Sequence, residues 1–487
     1  MGIVINQSIK NTIITFIGFT IGAINALCLY TYFLGEDYYG LTSFLLSTAN
    51  ILMPILSFGI QNTLIKFYSE YKLEDEKSKF LNLVLILPLV IIIPFFTILY
   101  FYYHEIALEV SKKNPVIYNY VWILPLIGLF MAYFEIFYAW VKVHLKSVFG
   151  NFIKEVLLRL FITIFLFLVY FKLITKTEFI YSLVFIYFLM MVIMAIAAFK
   201  IRKPNFKLMF PKQKKEVIIY SSFIIFSSSI AVLLLDIDKF MIGQYIPIKE
   251  TAYYSVAIFI ALTISVPMRA MHQITHPITT DLMAKNEYVK LNDLYKKTSI
   301  SLQVVGGFIM VGILANINQV YALLPEKYSG GIIVVFIIAI SKFFDLILGN
   351  NNSIIFNSKY YKTVLMLGLA LVVVTVTLNM YFIPNYGIEG AAFATLISIG
   401  FYNLAKFLFV VLKMKLFPFT IKTIYSLFIL LVTFVVFYFW EFSFHPIINI
   451  VLKSILIAVF YVFLIYKFKI SLEINQVIEK VIFKIRA

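Results

Sequence analysis

Asp236, Asp238 and Lys239 interrupt the apolar run LLLDIDKFMIGQY at 233–245. A charge at the centre of a membrane-spanning helix costs about 2.5–3.5 kcal/mol on insertion scales, and less near the ends. Such charges are therefore kept where they pair with one another or meet a polar cargo. Asp236 and Lys239 stand i, i+3 and can meet on one helix face, whereas Asp238 points about 200° away from Asp236. The two acids therefore cannot serve one spot. Three readings stand: Asp236 and Lys239 form a neutral pair that stabilises the bundle, one of the carboxylates binds a coupling cation or gates a path, or the side chains snorkel to the outer interface.

Arg269, in TISVPMRAMHQITH, follows Pro267 and has no acid within four positions. A proline inside a helix frees carbonyls and opens the turn. The planar guanidinium fork suits diphosphate oxygens, so Arg269 reads either as a substrate contact or as half of a pair with another helix. His272 follows one turn later as a candidate for a proton-linked role. Lys342 and Asp345 in AISKFFDLILGNNNS repeat the i, i+3 spacing and read as a salt bridge satisfied within one helix, or as a substrate contact and a coupling group. The amides after them either meet sugar hydroxyls or cap a helix end. Glu155 and Arg159 form an i, i+4 pair, and Glu135 either answers Arg159 across helices or acts as a proton site. Gln61 and Asn62 in GIQNTLIKFY, with Asn25, are uncharged candidates for lining a vestibule.

No set of these residues resembles a nucleophile, a general base or a metal cluster. The elements that must position them are membrane helices. Of 487 residues 62% are hydrophobic and only 13% charged, too little polar surface for a soluble chain of this length. At roughly 20 apolar residues per crossing, fourteen segments qualify: 9–34, 41–67, 81–103, 118–142, 150–173, 178–200, 217–243, 252–276, 298–323, 332–355, 363–383, 389–411, 421–441 and 447–467. The first is too long for a signal-peptide core and reads as a retained span. Cys28 is the single cysteine, so no disulfide forms within the chain.

With the N-terminus placed in the cytoplasm, 31 of the 41 Lys and Arg fall in or beside loops on that side and 7 on the other. The remaining three, Lys239, Arg269 and Lys342, fall inside spans. That asymmetry predicts both termini inside. It also accounts for the net charge of +17 without nucleic acid as a partner.

Features recur about 210 residues apart: YFLGEDYYGL at 32–41 and YIPIKETAYYSV at 245–256, each followed by a proline in the next helix, Pro54 and Pro267. The expected organisation is a lobe of six spans over 1–200, a cytoplasmic linker at 201–216, a second lobe of six over 217–411, and two further spans with a basic tail over 412–487. Parallel repeats of this kind place a transporter's substrate site where the halves meet.

Four stretches carry a family resemblance: LGEDYYGLTSFLLSTANILMPILSFGIQNTLIKFYSEY, LDIDKFMIGQYIPIKETAYYSVA, LLPEKYSGG and IPNYGIEGAAFATLIS. With them the chain resembles the polysaccharide-transport branch, including O-antigen flippases, of the multidrug/oligosaccharidyl-lipid/polysaccharide (MOP) flippase superfamily. The resemblance implies two six-helix lobes that open alternately to either side. It also implies a cargo of oligosaccharide on a polyprenyl diphosphate, passed from the inner to the outer leaflet along a cationic path. Span 1 departs from that pattern, having no cation beyond Lys10, so the charge must come from the C-terminal half.

The reading is therefore an all-α, MOP-like flippase of the bacterial inner membrane, serving surface polysaccharide assembly. No cofactor is expected beyond a coupling proton or sodium ion. The partners are the lipid-linked oligosaccharide, the bilayer and other assembly proteins. The alternatives are a cation-coupled multidrug or small-lipid exporter and a membrane polymerase or acyltransferase. The last should carry a large outer loop or clustered His, Asp and Arg, which the sequence lacks.

Overall fold

The computed structural model describes the backbone of residues 2–204 and 210–486, with side chains described there except at 2–6, 8, 9, 226–228, 231, 235, 361 and 481–486. Part of the 201–216 linker and the last basic residues of the tail thus lie outside the described residues. All regular structure among the described residues is helical. Among the described residues eleven helices are long and apolar enough to cross a membrane, which makes this a multi-pass membrane protein.

Eleven is fewer than the fourteen segments expected, and the two counts differ at three places. The spans at 363–383 and 389–411 run together as Tyr361–Phe409, a pair of helices joined at Gly387, whose φ of 60° and ψ of −140° are not helical. The segment at 150–173 is helical without interruption from Ser147 to Tyr170, through a π-helical stretch at Ile153–Leu157, but Lys154, Glu155 and Arg159 make it too charged to count as an apolar crossing. The segment at 217–243 lies in the 32-residue helix Lys214–Tyr245, where several side chains are outside the described residues. The segment at 41–67 is likewise two helices, Glu36–Leu56 and Ile60–Phe67. Between them Phe58 and Gly59 take left-handed φ values of 53° and 63°, which end one helix and redirect the chain. A Cβ at Gly59 would lie 2.5 Å from Ile224 Cγ2, so glycine is needed for space as well as for conformation.

The chain divides into two compact units, 1–255 and 256–487. In the first, Ile123–Val143 packs against Lys176–Ile201 and Glu36–Leu56, and the latter also packs against Lys214–Tyr245. Trp140, Phe44, Phe80 and Phe179 are fully buried there. The helix Gly2–Ile24 continues as a π-helix over Asn25–Leu34, a wider winding that often marks functional segments. This pair lies along Ile153–Tyr170.

Gly18 makes that approach possible. A Cβ there would stand 2.8 Å from Arg159 Nη1 and closer still to the Glu155 carbonyl oxygen, a backbone atom that cannot swing aside. Gly18→Ala is expected to destabilise the first unit by about 1–3 kcal/mol, the usual cost of overpacking. Thermal unfolding of the purified protein measures it. Gly312→Ala, whose Cβ meets nothing within 4 Å, should lose no stability. Equal loss in both variants would contradict the packing argument.

In the second unit Tyr288–Ala315 packs against Ile332–Ile347, Ile421–Tyr438 and Val266–Ala284. One core joins Ile300, Val304 and Val311 to Ile429, Phe437, Ile457 and Tyr461, which fastens the last two spans to this unit. Gly349, at φ 54°, ends the 332–347 helix. A Cβ there would lie 2.7 Å from Ser299 N.

Candidate functional site

The charges of LLLDIDKFMIGQY fall where helical spacing puts them. Lys239 Nζ stands 3.7 Å from Asp236 Oδ1, with only 21% and 12% of the two side chains exposed. Asp238, on the other face, accepts a 2.6 Å hydrogen bond from the Tyr254 hydroxyl on the next helix. Tyr253 donates at 3.0 Å to Glu36 Oε2. Asp236 and Asp238 are thus separate sites, each with a partner in the first unit.

A second charged group surrounds a cavity of about 250 Å³ in the same unit, lined by Asn50, Glu135, Lys154, Glu155, Arg159 and Tyr187 among apolar neighbours. Arg159 Nη1 donates to Glu155 Oε2 at 2.6 Å, the expected i, i+4 pair. Glu135 does not answer Arg159; its partner is Lys154, from the π-helical stretch. Packing between helices sets that match, and local spacing does not reveal it. Acids and bases balance here, so the cavity holds no net attraction for an anion. Asn25 is 3% exposed, and its amide is used between helices. It donates to the Arg159 carbonyl at 3.0 Å and accepts from Thr163 Oγ1 at 2.8 Å. Gln61 and Asn62 are half-buried, and Gln61 Oε1 is buried without a hydrogen-bond partner among the described residues. Lys66, one turn on, sits over the Tyr220 ring at 3.9 Å.

The second unit carries the cationic group. Pro267 stands in the first turn of Val266–Ala284, directly after a 3-10 turn at Thr263–Ser265, where its missing N–H costs no hydrogen bond. Arg269 follows, exposed, and among the described residues its guanidinium forms no ion pair or hydrogen bond. His272 is half-buried one turn further and close enough to Asp345 and Lys406 to feel both charges. Asp345 Oδ1 lies 3.7 Å from Lys406 Nζ, and only 1% of the Lys406 side chain is exposed. Lys406 also donates to Asn352 Oδ1 at 2.9 Å and lies 4.2 Å from the Tyr402 ring centroid. Lys342 is half-buried one turn before Asp345.

Lys406 corrects the sequence reading, which counted it with the cytoplasmic loops. Lys453, counted with the outer loops, is also buried in its helix at 1% exposure. Both stand within two or three turns of an apolar segment's end, where hydropathy does not separate a loop lysine from a buried one. Of the GNNNS amides, Asn350 bonds Thr279 and accepts from Thr275 at 3.4 Å, and Asn351 donates to Tyr295 at 2.7 Å. Asn352 alone of the three is exposed, and it holds Lys406. Arg269, Lys342 and Lys406 thus supply three cations, and Asp345 one carboxylate, on three helices of the second unit, with Lys406 and Asp345 paired. Among the described residues no group of His, Cys, Asp and Glu could hold a metal ion.

Helices with interrupted turns and ionisable groups held inside them define a multi-pass membrane protein. Residues 8–283 match the model of the family described as polysaccharide biosynthesis protein, and the chain belongs to that family. Its fold is similar to that of a solved structure titled lipid II flippase MurJ in an inward closed conformation, at a TM-score of 0.74 and 18% identity, covering 95% of this chain and 100% of that one. It is also similar to an inward-facing multidrug resistance MATE transporter of the MOP superfamily, at a TM-score of 0.57 and 11% identity, covering 85% of this chain and 95% of that one. No curated protein sequence matches the chain. At these identities the structures speak for the fold alone, and the fold is the all-helical one expected.

Proposed function

We propose that the protein is a flippase that carries a polyprenyl-diphosphate-linked oligosaccharide from the inner to the outer leaflet of a bacterial cytoplasmic membrane by alternating access. In this reading residues 1–200 and 217–411 act as the two moving lobes, 201–216 links them, 412–487 is an appendix, and both termini are cytoplasmic. A sugar diphosphate cannot cross hydrocarbon unaided, because its anion and hydroxyls would lose their water. The protein supplies polar contacts along the way while the polyprenyl tail stays in the bilayer. No covalent bond changes.

The observation that supports the reading is Arg269, a guanidinium without an ion pair or hydrogen bond among the described residues, inside a span of a chain that belongs to a polysaccharide biosynthesis family. Arg269 takes the diphosphate, Lys406 and Lys342 add positive potential behind it, and Asn352 meets a sugar hydroxyl. Gln61 and Asn62 line the cytoplasmic vestibule. Asp236, Asp238, Lys239, Glu135, Asp345 and His272 remain candidates for proton or sodium coupling, with Asp345 and His272 nearest the cationic group. A cationic-drug exporter would place acids, not an unpaired arginine, on the path.

Complementation tests this. In a strain lacking its own flippase, the gene should restore surface polysaccharide and clear accumulated lipid-linked oligosaccharide. Restored resistance to cationic drugs with the accumulated intermediate unchanged would favour the exporter.

A further inference from the structure

We propose that a cavity at one end of the second unit binds the phosphate of an anionic lipid headgroup, separately from the transport site. The cavity encloses about 540 Å³, and its charged side chains are Lys359 and Lys413. Tyr288, Tyr360, Thr280 and Asn357 also line it, and no carboxylate does.

Its depth in the membrane follows from the helices that end on it. The long apolar helices 248–284, 288–315 and 362–414 each have a terminus at this cavity. The lining residues therefore stand at the level where spans leave the bilayer, the level at which lipid phosphates lie and at which tyrosines collect. Met283 and Met414 give the cavity an apolar wall beside its two ammonium groups. By the charge asymmetry of the loops this is the cytoplasmic side, whose leaflet carries the anionic lipids.

Among the described residues the two lysines have no counter-ion. The nearby acids are engaged by other lysines: Asp281 by Lys285 at 2.7 Å and Glu287 by Lys290 at 2.9 Å. Among the described residues neither Lys359 nor Lys413 forms an ion pair or hydrogen bond. Lys359 has only the face of Tyr360, at 5.2 Å. The polar floor is fixed in advance, since Thr280 donates to Asn357 Oδ1 at 3.1 Å and Asn357 donates to the Ser353 carbonyl at 2.8 Å. An ordered floor beneath two uncompensated cations suits a phosphodiester, and the apolar wall suits the start of its acyl chains. The same chemistry would take a free phosphate, and the position at the span ends favours the lipid.

The test uses the full-length protein in neutral detergent, titrated with short-chain phosphatidylglycerol, short-chain phosphatidylcholine or inorganic pyrophosphate, with the thermal unfolding midpoint as readout. Phosphatidylglycerol should raise the midpoint saturably and phosphatidylcholine should not. K359Q/K413Q should weaken the phosphatidylglycerol effect by about tenfold or more, while K359R/K413R keeps it. The single variants K359Q and K413Q, each giving a partial loss, guard against a double variant that folds poorly. An unchanged response in K359Q/K413Q, or an equal response to phosphatidylcholine, overturns the proposal. Pyrophosphate acting as strongly as phosphatidylglycerol, and losing its effect in K359Q/K413Q, overturns the lipid as the source. Arg269 and Lys406 are untouched throughout, so the outcome is separate from that of the transport reading.

Discussion

Arg269→Ala is expected to abolish polysaccharide export at normal protein levels, with lipid-linked oligosaccharide accumulating as in a strain without the gene. The side chain is exposed and, among the described residues, forms no ion pair or hydrogen bond, so its removal strands no such partner and should cost the fold little. The cost falls on the cargo. A hydrogen bond to a charged group contributes about 1.5–3 kcal/mol, and a bidentate guanidinium–phosphate contact makes two at once. Losing the pair should slow transport by about a hundredfold or more. Arg269→Lys keeps the charge without the fork and should retain a measurable fraction. Export that survives Arg269→Ala unchanged would remove the residue from the path.

The second large effect is expected at Asp345 and Lys406, and there it falls on stability first. Asp345→Asn leaves the Lys406 ammonium in a position 1% exposed, with Asn352 Oδ1 and the Tyr402 ring as its remaining contacts. Removing one partner of a buried pair costs about 3–5 kcal/mol. The lower end applies here, because 26% of the Asp345 side chain is exposed and water screens part of the interaction. Thermal unfolding should show the loss. Asp345→Asn combined with Lys406→Met should recover most of it, since the stranded charge is gone. On the proposed reading the double variant should still transport poorly, because one of the cations assigned to the cargo's path is missing. A single variant as stable as the parent would show that the pair does not hold this region together.

Much of this was legible in the residues, for reasons that also mark the limit. The Asp236–Lys239 and Glu155–Arg159 pairs lie within one helix, where i, i+3 and i, i+4 spacing is a fact of geometry. The same rule separates Asp238 from Asp236. The Tyr254 partner of Asp238 comes from the next helix, as does the Lys154 partner of Glu135, and neither follows from spacing. Lys406 was missed because its partner lies on another helix and its position near a segment end looks like a loop. The helix breaks at Phe58–Gly59 and Gly387 turn on positive φ, which a glycine permits without announcing. Among the transport candidates, Arg269 was the most legible, since an arginine inside a span with no local acid stands out by type alone.

Reconstitution tests the central claim most directly. Purified protein in sealed vesicles should expose an inner-leaflet polyprenyl-diphosphate oligosaccharide to an external glycosidase, beyond the share accessible in protein-free vesicles. Vesicles carrying Arg269→Ala should match the protein-free ones. If the parent protein also leaves the inner-leaflet oligosaccharide untouched, in vesicles where it moves a cationic dye under a proton or sodium gradient, the flippase account is wrong.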